Sequence, residues 1–283
     1  MTEPFDLAFA RLDRAERKRV EFGEAWADYI APHPWTGHTR QLSPRGFELY
    51  VVSTEEPPPE MALIFSEWLA NLRAALDNAL FAWAVSLSGQ NPPPDAALLQ
   101  FPIFASEPEF RRASRRLKSL PEWVIGQLEK SQPYHSPYGP ESNLFYWLNE
   151  LSRVDRHRSL HVSLGRVAEH KIRLRVPNGI TATFDESVRP LNFIDGELLV
   201  ARFVTSAPIE ADELDVQPLI GIDPEILAWG NFEMDGRRPN LRMRMGMTEL
   251  FTRNHLENMA HMAGVMPKAG IRTFDPDLDP ITG

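Results

Sequence analysis

Two runs of proline, Pro57-Pro58-Pro59 and Pro92-Pro93-Pro94, bracket a long apolar stretch. Proline has no amide donor for a helix interior, so each run stops a helix. The stretch between them therefore reads as one helix from about Glu60 to Ser88. Ile64, Phe65, Trp68, Leu69, Leu72, Leu76, Ala79, Leu80, Trp83 and Leu87 form an arc broader than a helix with one wet face would carry. Such a helix must be covered by others, which predicts the central member of a helical bundle. Arg73 and Asp77 are i,i+4 neighbours at one edge of the arc. A charge pair there either locks two helices together or belongs to a site.

The rest of the chain arranges itself around this element. Residues 5–30 show helical spacing of Phe5, Phe9, Leu12, Val20, Phe22 and Trp26, ended by Pro32 and Pro34. Gly46 to Ser53 reads as a strand of β-branched and aromatic residues. FPIF at 101–104 is a short apolar segment. Phe110 to Leu120 predicts an amphipathic helix rich in base, with Arg111, Arg112, Arg115, Arg116 and Lys118. A short helix over Pro121 to Lys130 and a loop over 132–140 lead to a helix that begins at Leu144.

After Gly165 the pattern changes. KIRLRV at 171–176 alternates apolar and basic residues, as a half-buried strand does. Further strands are expected at Gly179–Phe184, Glu197–Ser206, Asp215–Ile222 and Leu241–Met245, with Asn178-Gly179 and Asp195-Gly196 as hairpin signals. A final helix is expected over Met247–Gly264. The fold class predicted is α+β, mainly α: a helical bundle, an appended antiparallel β segment and a C-terminal helix. The expected division is 1–165 as the bundle with one early strand, 166–267 as the β-rich segment with its closing helix, and 268–283 as a flexible acidic tail.

Composition narrows the function. With 43% hydrophobic residues the chain can build a substantial core. It has no cysteine, which removes disulfides, thiolate nucleophiles and Cys-zinc sites and fits a reducing cytoplasm. The charged N-terminus lacks a signal-peptide core, and no stretch approaches the roughly 18 apolar residues of a membrane span. A net charge of −9 excludes nucleic-acid binding by bulk electrostatics, so any such binding must use a local basic patch. No Walker-type loop, GxGxxG or GxSxG motif occurs, and no cofactor is implied.

The densest ionisable cluster closes the helix that begins at Leu144: Glu150, Arg153, Asp155, Arg156, His157, Arg158 and His161. On a helical wheel centred on Leu148, Asp155 falls within roughly 20° of the apolar face and His157 and His161 share the opposite one. A carboxylate on the apolar face needs a partner. Arg73 and Arg158 are candidates, and a buried Asp–Arg network fixing helix register would by itself account for Arg73, Asp77 and Asp155. His157 and His161 at i,i+4 can also be read as a solvated pair, or as metal ligands completed by Asp77, Asp155 or Glu150. The absence of HExxH and the adjacent Arg156 and Arg158 argue against a cation, and no metal site is assigned. As a non-enzymatic alternative, Arg111–Lys118 with Arg156 and Arg158 would form a phosphate-binding surface.

Arg156-His157-Arg158-Ser159-Leu160-His161 resembles the catalytic motif of HEPN ribonucleases, an Arg, a polar residue, a short spacer and a His. The resemblance implies a metal-independent endoribonuclease that acts on RNA as a homodimer, of a bacterial toxin or phage-defence type. Arg156, His157 and His161 would be catalytic, and Arg73, Asp77, Asp155 and Arg158 would support them. A longer pattern, WLANLRAALDNALFAWA (68–84), FPIF, QPY (132–134) and LNELSRVDRHR (148–158), resembles uncharacterised bacterial proteins with LRxALD, FPI, QPY and D-[KR]-H-R segments. Asn78 departs from that pattern, which continues the LRxALD helix with His.

Overall fold

The computed structural model describes residues 4–157, 163–188, 193–194, 196–230, 232–233 and 238–273. Among these residues six α-helices and two antiparallel sheets form an α+β, mainly helical chain. The helices are α1 (Asp6–Ile30), α2 (Pro59–Ser88), α3 (Glu107–Ser114), α4 (Glu122–Lys130), α5 (Leu144–His157) and α6 (Leu241–Met262). The strands are β1 (Trp35–Ser43), β2 (Gly46–Ser53), β3 (Ser163–Arg175), β4 (Ala182–Phe184), β5 (Phe193–Ile194), β6 (Glu197–Thr205) and β7 (Asp215–Ile226). No described helix is long and apolar enough to cross a membrane.

Two compact units divide the chain: Met1–Glu24, Ala62–His161 and Ala228–Gly283 in the first, Ala25–Met61 and Val162–Leu227 in the second. They do not follow a linear division at residue 165, because β2 pairs antiparallel with β6 across some 150 residues of chain. A strand such as GFELYVVS satisfies its main chain only beside another strand, wherever in the sequence that strand lies.

In the first unit α2 is enclosed on most of its circumference: burial runs from Ile64 and Asn71 on one side, through Trp68, Leu72, Leu76 and Trp83, to Arg73 and Ala84 on the other. This is the arrangement its broad apolar arc requires. Salt bridges tie α2 and α6 to α1, Lys18 to Glu67 at 2.6 Å and Arg19 to Glu249 at 2.7 Å. Phe145 of α5 packs on Phe251 and His255 of α6, with ring centroids 4.6 and 4.7 Å away. Leu241–Met245, expected as a strand, is instead the first turn of α6. Asn240 caps it, its side chain accepting from the Met243 amide at 2.9 Å. Leu241, Arg244, Met245 and Thr248 are buried at helical spacing, and Leu, Arg and Met, which are not branched at Cβ, suit a helix.

The second unit stacks the sheet β1-β2-β6-β4 against β5-β3-β7. Leu49, Val51, Val167, Ile194, Val200 and Ala201 form their shared core, with Trp35, Ile172 and Ile222 packed on it. Among the described residues neither expected hairpin is formed. β3 pairs with β5 and β7, while β4 and β6 pair with each other. Asn178-Gly179 and Gly196 thus pass the chain from one sheet to the other, with both glycines at positive φ. β1 escaped the sequence pattern because its residues are mostly exposed and polar.

Candidate functional site

Among the described residues FPIF has no neighbouring strand, so its main-chain groups need side-chain partners. Two other segments supply them. Asp77 of α2 accepts the Phe101 N–H at 2.8 Å, and Arg73 donates to the Phe101 carbonyl and to Asp77, the latter at 3.3 Å. Gln132, fully buried, donates to the Pro102 carbonyl at 2.9 Å and accepts the Phe104 N–H at 2.9 Å. The same amide donates to the Leu128 carbonyl at 2.8 Å, which fixes it to the end of α4. LRxALD, FPI and QPY are therefore parts of one hydrogen-bonded assembly. Phe101 also meets Phe145 of α5 edge to face at 5.7 Å.

Between this segment and α5 lies a cavity of about 500 Å³. Phe101, Pro102, Ile103, Phe104 and Ala105 line it, as do Tyr146, Asn149, Glu150 and Arg153 of α5. Arg73 lines it from α2, and Arg116, just past α3, completes it with Glu109. Arg153 donates to Glu150 at 2.6 Å, so the carboxylate is held by one oxygen and its other oxygen is not used in that pair. Burial, reinforced by the Glu150 charge, raises the pKa of the Tyr146 hydroxyl and keeps it a donor. Tyr146, Asn149, Glu150 and Arg153 share one face of α5, opposite the buried Phe145, Leu148 and Leu151.

The residues expected to be functional are distributed as follows. Arg73 and Asp77 stand at the cavity and hold Phe101. Asp155 is half-buried and accepts a hydrogen bond from Ser66 of α2. Arg156 and His157 form the last turn of α5. Arg158 and His161 lie outside the described residues. Arg111 is bound in an ion pair with Glu107 one turn back, and Arg112, Arg115, Arg116 and Lys118 are exposed. The predicted helix over Phe110–Leu120 is α3 followed by a short 3₁₀ turn, Arg115–Leu117. Among the described residues no three His, Asp or Glu side chains gather closely enough to hold a metal ion.

Gln132, Tyr146 and Asn149 carry no motif chemistry of their own. The position of Gln132 in QPY, at a fixed place in the longer pattern, was the one available signal for its role. His255 of α6 is buried against Phe145 and Phe251, and its Nδ1 stands 2.8 Å from the Phe251 carbonyl. Burial lowers its pKa, which suits a packing histidine. No known family model, curated protein or solved structure matches the chain.

Proposed function

We propose that the protein is an HEPN-like, metal-independent endoribonuclease of the toxin or defence type, acting as a cytoplasmic homodimer on RNA. One observation supports the reading: a single cavity is lined both by Arg116 of the basic segment and by Tyr146, Asn149, Glu150 and Arg153 of α5, the helix whose last residues are Arg156 and His157. The basic segment suited to bind phosphate and the helix that leads into the Arg-x4-His sequence thus line one cavity. In the reaction His161 takes the proton from a ribose 2′-hydroxyl, whose oxygen attacks the adjacent phosphorus. The 5′-oxygen leaves and takes up a proton, giving a 2′,3′-cyclic phosphate and a 5′-hydroxyl end. Arg156 stabilises the charge that builds on the phosphoryl oxygens, and His157 occupies the polar motif position.

A second reading has its own support. Arg73 and Asp77 bind the Phe101 main chain, and Asp155 accepts from Ser66. On this basis the charged cluster would be scaffolding in a non-catalytic interaction protein.

Incubating purified protein with single-stranded RNA in EDTA separates the two. The ribonuclease cleaves, and His161→Ala abolishes cleavage while leaving the thermal midpoint unchanged. Cleavage that survives the substitution moves the active site elsewhere. Cleavage lost on adding EDTA favours a metal at the histidines. Absence of cleavage, with equal growth of cells overexpressing wild type and His161→Ala, leaves the interaction reading.

A further inference from the structure

We infer that the cavity between FPIF and α5 receives an unpaired guanine base, and that Glu150 is the residue that selects it. This rests on the reading of the same cavity as the RNA-contacting site. The cavity volume, about 500 Å³, lies within the roughly 300–1,000 Å³ of small-ligand pockets. Its lining combines two kinds of partner. Arg73, Arg116 and Arg153 only donate hydrogen bonds, and Glu109 and Glu150 only accept them; Glu109 already accepts from Ser106 at 2.7 Å, whereas Glu150 stands beside Tyr146, Asn149 and Arg153 on α5.

Guanine matches that combination. Its N1–H and N2–H are adjacent donors that one carboxylate accepts together, and its O6 and N7 are adjacent acceptors that a guanidinium meets in fork geometry. The other bases fit the carboxylate less well. The adenine amino group is flanked by N1 and N7, the cytosine amino group lies beside N3, and the uracil N3–H stands between two carbonyls. In each case a carboxylate oxygen would face a lone pair. Arg153, bonded to one Glu150 oxygen at 2.6 Å, holds the carboxylate in place before the base arrives. Tyr146 lines the same cavity and offers an aromatic surface to the base. The entering base must be unstacked, so the substrate is single-stranded RNA and not a duplex.

The test is equilibrium binding of guanosine, inosine and adenosine 5′-monophosphates to the full chain. It is followed by mapping of cleavage sites on a single-stranded RNA containing all four bases. Inosine monophosphate lacks only the N2 amine, so the comparison alters the ligand and leaves the protein unchanged. Guanosine monophosphate is expected to bind roughly tenfold or more tightly than either other nucleotide, and Glu150→Gln to erase the difference. Equal binding of the three by wild type overturns the inference, as does a preference for guanosine monophosphate that Glu150→Gln retains. Should Glu150→Gln fail to fold, the comparison of guanosine with inosine monophosphate on wild type decides alone. RNA cleavage at every base without nucleotide preference overturns guanine selection and leaves the ribonuclease standing. Guanine-selective binding without cleavage upholds the cavity assignment and overturns the ribonuclease.

Discussion

Asp77 and Phe101 are joined as residues of adjacent strands would be, although neither lies in a sheet. The Asp77 carboxylate accepts the Phe101 N–H at 2.8 Å, and Arg73, one turn earlier on the same helix, donates to the Phe101 carbonyl. Two side chains of α2 thus replace a neighbouring strand for one residue, and Gln132 does the same for Pro102 and Phe104. Removing such a partner leaves a buried main-chain group unsatisfied. Asp77→Ala and Gln132→Leu should each cost about 1–3 kcal/mol in denaturant unfolding. Each should also weaken binding at the cavity that FPIF lines. Unchanged unfolding midpoints for both variants would show that the segment is held by its apolar contacts alone.

The exposed basic residues make a separate prediction about RNA affinity. Arg111 is exposed but paired with Glu107, and Arg112, Arg115, Arg116 and Lys118 are the other exposed cations of the segment. Each phosphate contact on a single strand contributes roughly 0.7 to the slope of log affinity against log salt. Changing all four to Gln should lower that slope by up to about 3. Filter binding across a salt series measures it, and an unaltered slope would remove this segment from the RNA interface.

Glu249 of α6 gives a pH dependence of stability. Its carboxyl accepts from Trp68 at 2.8 Å and from Arg19 at 2.7 Å. Burial nevertheless outweighs both partners and pushes its pKa up from 4.5 to about 7. The folded state thus favours the protonated form more than the unfolded chain does. The stabilisation this provides is complete below pH 4.5 and is lost as pH rises through about 7. Urea unfolding between pH 4.5 and 8 should show this fall, and Glu249→Gln should flatten it while keeping an acceptor for Trp68. A profile with the same slope in the variant would assign the dependence to another group.

Two glycines should respond to alanine with opposite signs. A Cβ at Gly165 on β3 would stand 2.9 Å from Ile222 Cγ2 and 3.3 Å from the Trp35 ring, in the core of the second unit. Gly165→Ala should destabilise by about 1–3 kcal/mol. Gly126 lies inside α4, where a Cβ meets nothing within 4 Å. Gly126→Ala should stabilise by about 0.5–1 kcal/mol through the helix backbone. A higher thermal midpoint for Gly165→Ala would show that crowding there is relieved by a shift of the sheet, and a lower one for Gly126→Ala would overturn the helix-backbone argument.

Those residues also show where sequence was informative. The sequence by itself determined α2: its proline brackets and its broad apolar arc require a long, enclosed helix whatever surrounds it. It likewise determined β2, β6 and the start of α5, where the hydrophobic period is clear, although the turn before β6 joins two sheets and not a hairpin. It misread Leu241–Met245, where five residues are too few to distinguish a strand from the first turn of a capped helix. It also missed β1, whose exposed polar residues carry no periodic signal. Tertiary structure alone decided that residues 25–61 join the C-terminal strands, because strand pairing satisfies main-chain groups between segments remote in sequence. It also decided what Arg73 and Asp77 bind. From sequence they are a charge pair on a helix edge, with other charges as natural partners. In the fold, the unsatisfied main chain of FPIF lies beside them, and a buried amide left without a partner costs as much as a broken hydrogen bond.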